Sequence, residues 1–330
     1  MLLEGLIINF HYHLLVNPAS GSGTGEKAAK KIIALLDKNH CQYTLYLTEV
    51  AGDETKIASQ LAEETLVPWQ ENTAADYEEK AYPLLVVLGG DGTLHEVLNC
   101  FYQLAVKFPI AYIPAGSGND FARGVGLSKE PEQAFWHLFK TKEPRNLNVL
   151  AYQDAMQEES GLTFNNFGIG LDAAVVAAAN QSATKKHLNK FKLGSLSYMA
   201  QIFKILFTQK GFPILVDVNG QKVNFKKTFL CTTTNHPYFG GGIAIAPMAD
   251  VNKETFELVV VERVALFKIF WLVILLLRKK HVNSKYYHHF SAKKMRIIST
   301  VPQYGQADGE TIQPQPFDIQ FTLAKQLFWF

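Results

Sequence analysis

Four short runs in this 330-residue chain are rich in small residues, three of them set beside acids, in the way phosphate chemistry needs. Gly89-Gly90-Asp91-Gly92-Thr93 sets three glycines around one carboxylate. The glycines let backbone N–H groups approach an anion closely, and Asp91 can hold a hydrated cation beside it. The plainer reading is a tight turn with Asp91 as a helix cap, but capping alone does not call for the Gly89-Gly90 pair. In Pro114-Ala-Gly116-Ser117-Gly118-Asn119-Asp120-Phe121-Ala122, Ser117 and Asn119 offer hydrogen bonds to phosphate oxygens and Asp120 adds a second carboxylate. An ordinary Asn/Asp turn is the alternative there. Asn17-Pro-Ala-Ser20-Gly21-Ser-Gly23-Thr-Gly25 fits neither G-x-G-x-x-G nor G-x-x-x-x-G-K-[ST], yet a glycine-rich loop ahead of a helix still presents N–H groups to a phosphate. Finally, Asp308-Gly309-Glu310 supplies two candidate proton acceptors. An extended tripeptide would put both carboxylates on one face, whereas Asp-Gly is also a common turn dipeptide.

The elements that must position these residues follow from periodicity. Leu6–Val16, Tyr43–Leu47, Leu84–Leu88 and Ile110–Ile113 read as strands. A helix carrying Ile32, Leu35 and Leu36 follows the first loop, and Asp53 is the expected cap of the next, which carries Ile57 and Leu61. The helix after Asp91 contains His95 and Glu96. Strands alternating with helices predict a parallel sheet covered on both faces, an α/β domain over residues 1–145, in which Gln70–Lys80 is an exposed insertion. Ligands bind such sheets at the carboxyl ends of the strands, where the glycine loops fall. Past residue 145 the pattern changes. Ile214–Val218, Asn219-Gly220 and Gln221–Phe225 predict a hairpin with a type I′ turn. Thr228–Thr232, Glu257–Val261, Met295–Ile298 and Phe317–Phe321 add strands, and Asp172–Ala179 and Leu196–Phe207 read as helices. Residues 146–330 therefore read as an antiparallel β-sandwich. Val264–Leu277 is too short to span a membrane and contains Lys268; it reads as a buried helix or an interfacial segment.

Composition narrows the classes. A chain 48% hydrophobic and 19% charged is globular rather than disordered. Its three scattered cysteines fit neither a disulfide framework nor a zinc site, and Met-Leu-Leu-Glu-Gly lacks the positive charge of a signal peptide, so a reduced cytoplasmic compartment is expected. Residues 1–145 hold 12 Lys+Arg against 18 Asp+Glu, and residues 146–330 hold 20 against 12, giving −6 and +8. A basic second half with clusters at Lys185, Lys186, Lys190, Lys192 and at Lys293, Lys294, Arg296 suits an anionic membrane surface. Nucleic acid is not expected, since no aromatic-rich basic motif occurs.

Taken together, N-P-x-S-G at residue 17, G-G-D-G-T at 89–93, G-S-G-N-D-F-A at 116–122, Asn165-Asn-Phe-Gly168-Ile-Gly170-Leu-Asp172-Ala173, Asn235 with Phe239-Gly-Gly-Gly242, and Asp308-Gly309-Glu310 resemble the diacylglycerol kinase catalytic family, which includes bacterial soluble lipid kinases and the sphingosine and ceramide kinases. The resemblance implies an α/β nucleotide-binding domain like those of phosphofructokinase and NAD kinase, a following β-sandwich that carries much of the lipid site, and a C-terminal tail that packs back on the first domain. It implies ATP- and Mg2+-dependent phosphorylation of a lipid hydroxyl at a membrane, by a peripherally associated enzyme that is commonly dimeric. Diacylglycerol is the default substrate; a sphingoid base, ceramide, phosphatidylglycerol, a polyprenol, NAD, or a non-catalytic binding role are the alternatives. By the same resemblance ATP contacts Asn17, Ser20, Gly21, Thr48, Gly89, Gly90, Gly92, Thr93, Glu96, Gly116, Ser117 and Asn119. Asp91 and Asp120 act through Mg2+, and the proton acceptor is Glu310, ahead of Asp308. Two departures stand out. Asn148 replaces an acid of the metal network, and Asn252-Lys253-Glu254 replaces an Asp-Asp-Gly turn, so that Lys253, paired with Glu254, Glu257 or Asp250, takes the place of a structural metal.

Overall fold

A computed structural model describes residues 9–70, 73, 77, 80–186 and 204–330, the side chains of 181–186 excepted. The chain divides into two compact units, Met1–Leu147 with Lys325–Phe330, and Asn148–Ala324.

The first unit is built on parallel strands β1 (Phe10–Val16), β2 (Gln42–Leu47), β3 (Tyr82–Gly89) and β4 (Ile110–Pro114), in the order β2-β1-β3-β4. Phe328, near the end of β15 (Glu310–Phe328), pairs in parallel with Ile110 at the outer edge of β4. Nearly every residue of β3 and β4 is buried, which is why both read as continuous apolar runs rather than alternating ones. Helix α1 (Ser20–Lys38) packs against α5 (Pro131–Lys140), and α2 (Asp53–Glu64) against α3 (Asp91–Gln103). Strand order reverses between β1 and β3, and the register aligns Val16 with Leu88 and Gly89 with Pro114. Three strands thus end at one level, and their following loops emerge side by side.

The second unit is antiparallel. Its strands run β13 (Tyr287–Ala292), β12 (Phe256–Glu262), β9 (Gln221–Thr234), β7 (Asn166–Gly170), β14 (Lys294–Ala307), β15, with β8 (Phe212–Val218) paired to both β9 and β14. Strand β5 (Arg145–Asp154) joins β15 and β6 (Glu159–Thr163). A core including Phe167, Phe212, Phe256, Phe317 and Phe321 fills its interior. The β8–β9 turn has φ of 52° at Asn219 and 87° at Gly220, the left-handed pair that a type I′ turn demands. Helices α6 (Leu171–Lys186) and α7 (Leu266–Leu277) lie in this unit, with a shorter helical turn at 204–208.

Several expectations need correction. Asp53 does not cap α2: its Oδ2 accepts the N–H groups of Glu49 and Val50, behind the helix, and left-handed Gly52 precedes α2. The 70–80 segment is not wholly exposed, because Thr73 is buried and the Tyr77 ring packs edge-on against Tyr82. Only Ile269 and Leu272 of α7 are buried, so Val264–Leu277 is not an interior helix. Strands β5 to β7 gave no alternation to read, since β7 is buried on both sides and carries two glycines. Residues 196–203 of the expected helix, Lys190, Lys192 and the first five residues lie outside the described residues, as do the Lys185 and Lys186 side chains.

Candidate functional site

In the first unit the glycines are where backbones meet. A Cβ on Gly116 would stand 2.5 Å from the Gly90 Cα, one on Gly90 would stand 3.1 Å from Ser20 Oγ, and one on Gly21 would stand 2.4 Å from the Ala115 carbonyl oxygen. The three loops predicted from sequence therefore touch one another, and glycine at 90 and 116 is a packing requirement. Gly21, Ser22 and Gly23 all have left-handed φ, so the chain coils there before α1 becomes regular. Asn17 Nδ2 ties the first loop to its neighbours, donating to Glu54 Oε1 at 3.0 Å and to Thr93 Oγ1 at 3.1 Å. Thr48 is buried beside the end of β1, its N–H donating to the Val16 carbonyl.

Helix α3 starts directly at Asp91, after an extended Gly90 whose carbonyl accepts the Leu94 N–H. The N–H groups of Gly92 and Thr93 thus belong to an open helix N-terminus, favourable for an anion. Asp91 Oδ2 accepts the Asp120 N–H at 3.0 Å. From the Cβ position of Gly118, Asp91 Oδ2 is 3.5 Å away and Asp120 Oδ2 3.9 Å away, so the two carboxylates converge on one small residue. Arg123 pairs with Asp120 Oδ1, and Lys129 Nζ donates to the Gly118 carbonyl at 2.9 Å. Burial, reinforced by Asp91 and then Asp120, drives the Tyr112 hydroxyl pKa far up.

Two of the expected nucleotide contacts are also held by bonds within the protein. Asn119 has both amide atoms on Gly116, Oδ1 accepting its N–H and Nδ2 donating to its carbonyl, each at 2.9 Å; it shapes the loop and leaves exposed Ser117 as the side chain facing outward. Glu96 Oε2 accepts the Thr55 hydroxyl of α2 at 2.8 Å. Glu54, Arg123 and Lys129 were not anticipated, because acids and bases in a helix's first turn or just after it look like solvated surface.

In the second unit Asp308-Gly309-Glu310 is not extended. Asp308 and Gly309 have φ of 53° and 95° and form the type I′ turn between paired Ala307 and Glu310. The two carboxylates therefore have opposite surroundings. Asp308 is buried and accepts four hydrogen bonds, from the Thr163 hydroxyl and the N–H groups of Phe164, Asn165 and Asn166. Glu310 is exposed. Gln306 buttresses the turn, its Oε1 accepting the Gly309 N–H at 2.8 Å while its Nε2 donates to Asn166 Oδ1. Asn180 Nδ2 reaches Gly309 O and Thr311 Oγ1 at 3.3 and 3.1 Å, flanking Glu310 on both sides. Asp172, the acid of the N-N-F-G-I-G-L-D run, is fully interior. Burial pushes its carboxyl up to about 6, against the lowering effect of hydrogen bonds from Thr232 and Gln306.

Asn148 also belongs to this unit. Its Nδ2 donates to the carbonyls of Val251 and Lys253 at 3.0 and 2.8 Å, so it holds the 251–253 turn. Lys253 donates to the Met248 carbonyl; hydrogen bonds from Asn252, with a smaller contribution from the Lys253 charge, lower the Asp250 carboxyl, while Glu254 pairs with Lys293 and Glu257 takes His289 and Ser291, so of the three expected partners of Lys253 it is Asp250 that feels its charge. An apolar cavity of about 130 Å³ lies behind α7, lined by residues including Phe229, Phe239, Ile269, Leu272, Leu276 and Tyr287.

Among the described residues no three His, Cys, Asp or Glu side chains gather as a ligand set. The Asp91/Asp120 pair fits a hard cation that keeps most of its waters, as Mg2+ does, rather than a fully protein-ligated metal.

Known proteins agree with this architecture. The profile described as "Diacylglycerol kinase catalytic domain" matches residues 11–151, and that described as "YegS C-terminal NAD kinase beta sandwich-like domain" matches residues 166–324. The Bacillus subtilis (strain 168) protein named "Putative lipid kinase YtlR" is 28% identical over 94% of this chain and 96% of its own. A diacylglycerol kinase of the same organism is 23% identical over 90% and 88%. The crystal structure of a diacylglycerol kinase from Bacillus anthracis str. Sterne superposes with a TM-score of 0.66 at 19% identity, covering 97% of this chain and 96% of that one, and so shares the fold. The chain thus carries a diacylglycerol kinase catalytic domain over residues 11–151, followed by a YegS-type C-terminal β-sandwich domain over residues 166–324.

Proposed function

We propose that this protein transfers the γ-phosphoryl group of ATP, with Mg2+, to a lipid hydroxyl, and that the lipid is diacylglycerol, giving phosphatidic acid. The observation that carries the reading is the meeting of Asp91 and Asp120 at Gly118, beside an open helix N-terminus and two glycine loops in mutual contact. Phosphoryl transfer passes through a loose transition state and asks for positioning and charge neutralisation more than covalent chemistry. The N–H groups at the start of α3 hold phosphate oxygens, with Ser117 adding a hydroxyl. Asp91 and Asp120 would hold Mg2+, which when bound would supply neutralisation of phosphate charge. Asn17 and Thr93 fix the loops against one another, and Arg123 holds the Asp120 carboxylate in place.

The lipid oxygen forms a bond to the γ-phosphorus, the bond from that phosphorus to the β–γ bridging oxygen breaks, ADP leaves, and the hydroxyl proton goes to Glu310. Asp308 is a poor acceptor because four donors already occupy its oxygens. It anchors the turn that presents Glu310. A lipid acceptor is favoured over NAD by the apolar cavity behind α7, which an acyl chain suits and a dinucleotide does not.

The test is phosphate transfer from labelled ATP to diacylglycerol in mixed micelles, beside a sphingoid base, ceramide, a polyprenol and NAD. Phosphatidic acid as the main product supports the reading. Transfer to another acceptor reassigns the substrate, and binding of ATP without transfer to any of them overturns catalysis.

A further inference from the structure

Helix α7 is apolar on two opposite sides. Its inner stripe, Ile269, Leu272 and Leu276, lines the apolar cavity. Its outer stripe runs Phe267, Phe270, Trp271, Ile274, Leu277, the i, i+3, i+4, i+7 spacing of one helix face. These five are 71%, 39%, 57%, 41% and 73% exposed. So much contiguous aromatic and aliphatic surface on one helix marks an interaction face rather than scattered surface residues. The Phe207 ring, 51% exposed, packs edge-on against Phe270 and widens the patch.

Charge says what covers it. From Arg263 to Ala307 the chain has nine Lys and Arg and no Asp or Glu: Arg263, Lys268, Arg278, Lys279, Lys280, Lys285, Lys293, Lys294 and Arg296. Arg278, Lys279 and Lys280 follow the helix directly and are exposed. A groove of about 500 Å³ runs along α7, lined by Lys268, Trp271, Lys280, Ser284 and Tyr286 among others. Lys268 Nζ donates to the Tyr286 hydroxyl at 3.0 Å, so a cation and two amphipathic rings share its walls. The 12 residues of α7 extend about 18 Å, short of the roughly 30 Å hydrocarbon core, and no described helix is long and apolar enough to cross a membrane. An apolar stripe edged by cations, on a helix that cannot span, is the arrangement of an element lying in the plane of an anionic leaflet.

We infer that the outer face of α7 docks this protein onto anionic phospholipid bilayers, Phe267, Trp271, Ile274 and Leu277 entering the acyl boundary, with the Lys268–Lys280 groove and Arg278–Lys280 taking lipid phosphates. Docking is a property of the surface and needs no turnover, so it stands or falls separately from the kinase reading.

The experiment is flotation of the full chain, without ATP, with phosphatidylcholine vesicles that contain or lack phosphatidylglycerol. Phe267→Ser/Trp271→Ser removes two large side chains from the stripe and is expected to weaken partitioning about 100-fold. Arg278→Glu/Lys279→Glu, a change confined to exposed side chains, is expected to weaken it at least about 30-fold. High salt should reproduce the second effect, and a spin label at the acyl boundary should quench the parent more than Trp271→Phe. Equal binding to neutral vesicles, binding unaffected by either double variant, or a stable dimer that buries Trp271 without lipid would overturn the inference. Transfer to micellar diacylglycerol with no vesicle binding would sink docking and leave the kinase reading. Vesicle binding with no transfer to any acceptor would do the reverse.

Discussion

Removing the charge from Asp308 and from Glu310 should have opposite signatures, although the two residues are separated only by Gly309. Asp308→Asn replaces one carboxylate oxygen by an NH2 group inside a pocket built of donors. Whichever way the amide turns, at least one of the four donors, Thr163 Oγ1 or the N–H groups of Phe164, Asn165 and Asn166, loses its acceptor. A hydrogen bond to a charged group contributes about 1.5–3 kcal/mol, and the bonds that survive fall to roughly half strength once the charge is gone. One bond lost and three halved come to about 4–7 kcal/mol, a large part of a domain's whole stability. Glu310→Gln touches an exposed side chain and should change stability by less than about 0.5 kcal/mol. Its effect belongs in turnover, a fall of about 100-fold or more if Glu310 accepts the proton, with little change in the KM for ATP. Urea denaturation followed by circular dichroism measures the first pair of numbers, and steady-state phosphate transfer the second. An Asp308→Asn protein as stable as the parent would refute the anchoring role. A folded Glu310→Gln protein with undiminished kcat would remove Glu310 as the acceptor.

Three further outcomes follow from the geometry. Gly116→Ala forces a methyl into the Gly90 backbone and should lower the affinity for an ATP analogue by about 10-fold, as overpacking of about 1–3 kcal/mol would; unchanged calorimetric affinity would mean the loops do not form the nucleotide site. Asp172 has its carboxyl raised to about 6 by burial, so the native state favours the neutral acid. Its charging penalty is absent below about pH 4 and fully present above pH 6, about 3 kcal/mol from the size of the change. Relative to the parent, Asp172→Asn should therefore gain stability as pH rises from 4 to 6, and a flat difference across that window would contradict the burial argument. Asn148→Asp, which restores the acid the family resemblance led one to expect, should instead destabilise the protein by about 3 kcal/mol or more, because a carboxylate would then face the carbonyls of Val251 and Lys253. Wild-type melting of that variant would mean the amide is not what holds the turn.

Much of the first unit was legible because its information is local. Buried parallel strands announce themselves as unbroken apolar runs, and glycines at strand ends announce a close backbone approach, as Gly90 and Gly116 bear out. The β8–β9 hairpin was legible for the same reason, since Asn219-Gly220 carries its own turn geometry. Long-range pairing left no such mark. Asp308 and Glu310 look alike in sequence, and only the approach of residues 163–166 makes one an anchor and leaves the other exposed. Asn148 was placed with the metal by resemblance, but its partners are carbonyls from a turn about a hundred residues later. Hydropathy likewise gave α7 its apolar character without distinguishing Leu272, which is buried, from Trp271 beside it, which is not.

The path of β15 bears on how such a chain is made. Its far end and the two residues after it, Lys325–Phe330, belong to the first unit, where Phe328, Trp329 and Phe330 are buried and Trp329 stacks edge-on against Phe10 and Trp69 at ring separations of 5.0 Å. Gln326 closes the same edge by donating to the Phe108 carbonyl. On the ribosome, residues 9–147 emerge long before their last strand does. Until then Phe10 and Trp69 lack the Trp329 ring, Phe121 lacks those of Phe328 and Phe330, and Ile110 lacks its strand partner, and exposed apolar surface of this kind in an incomplete chain favours misassembly. Completion of the first unit's core is thereby deferred until the second half has been synthesised. A fragment cut at Leu147 would keep every glycine loop and still lack part of its own core.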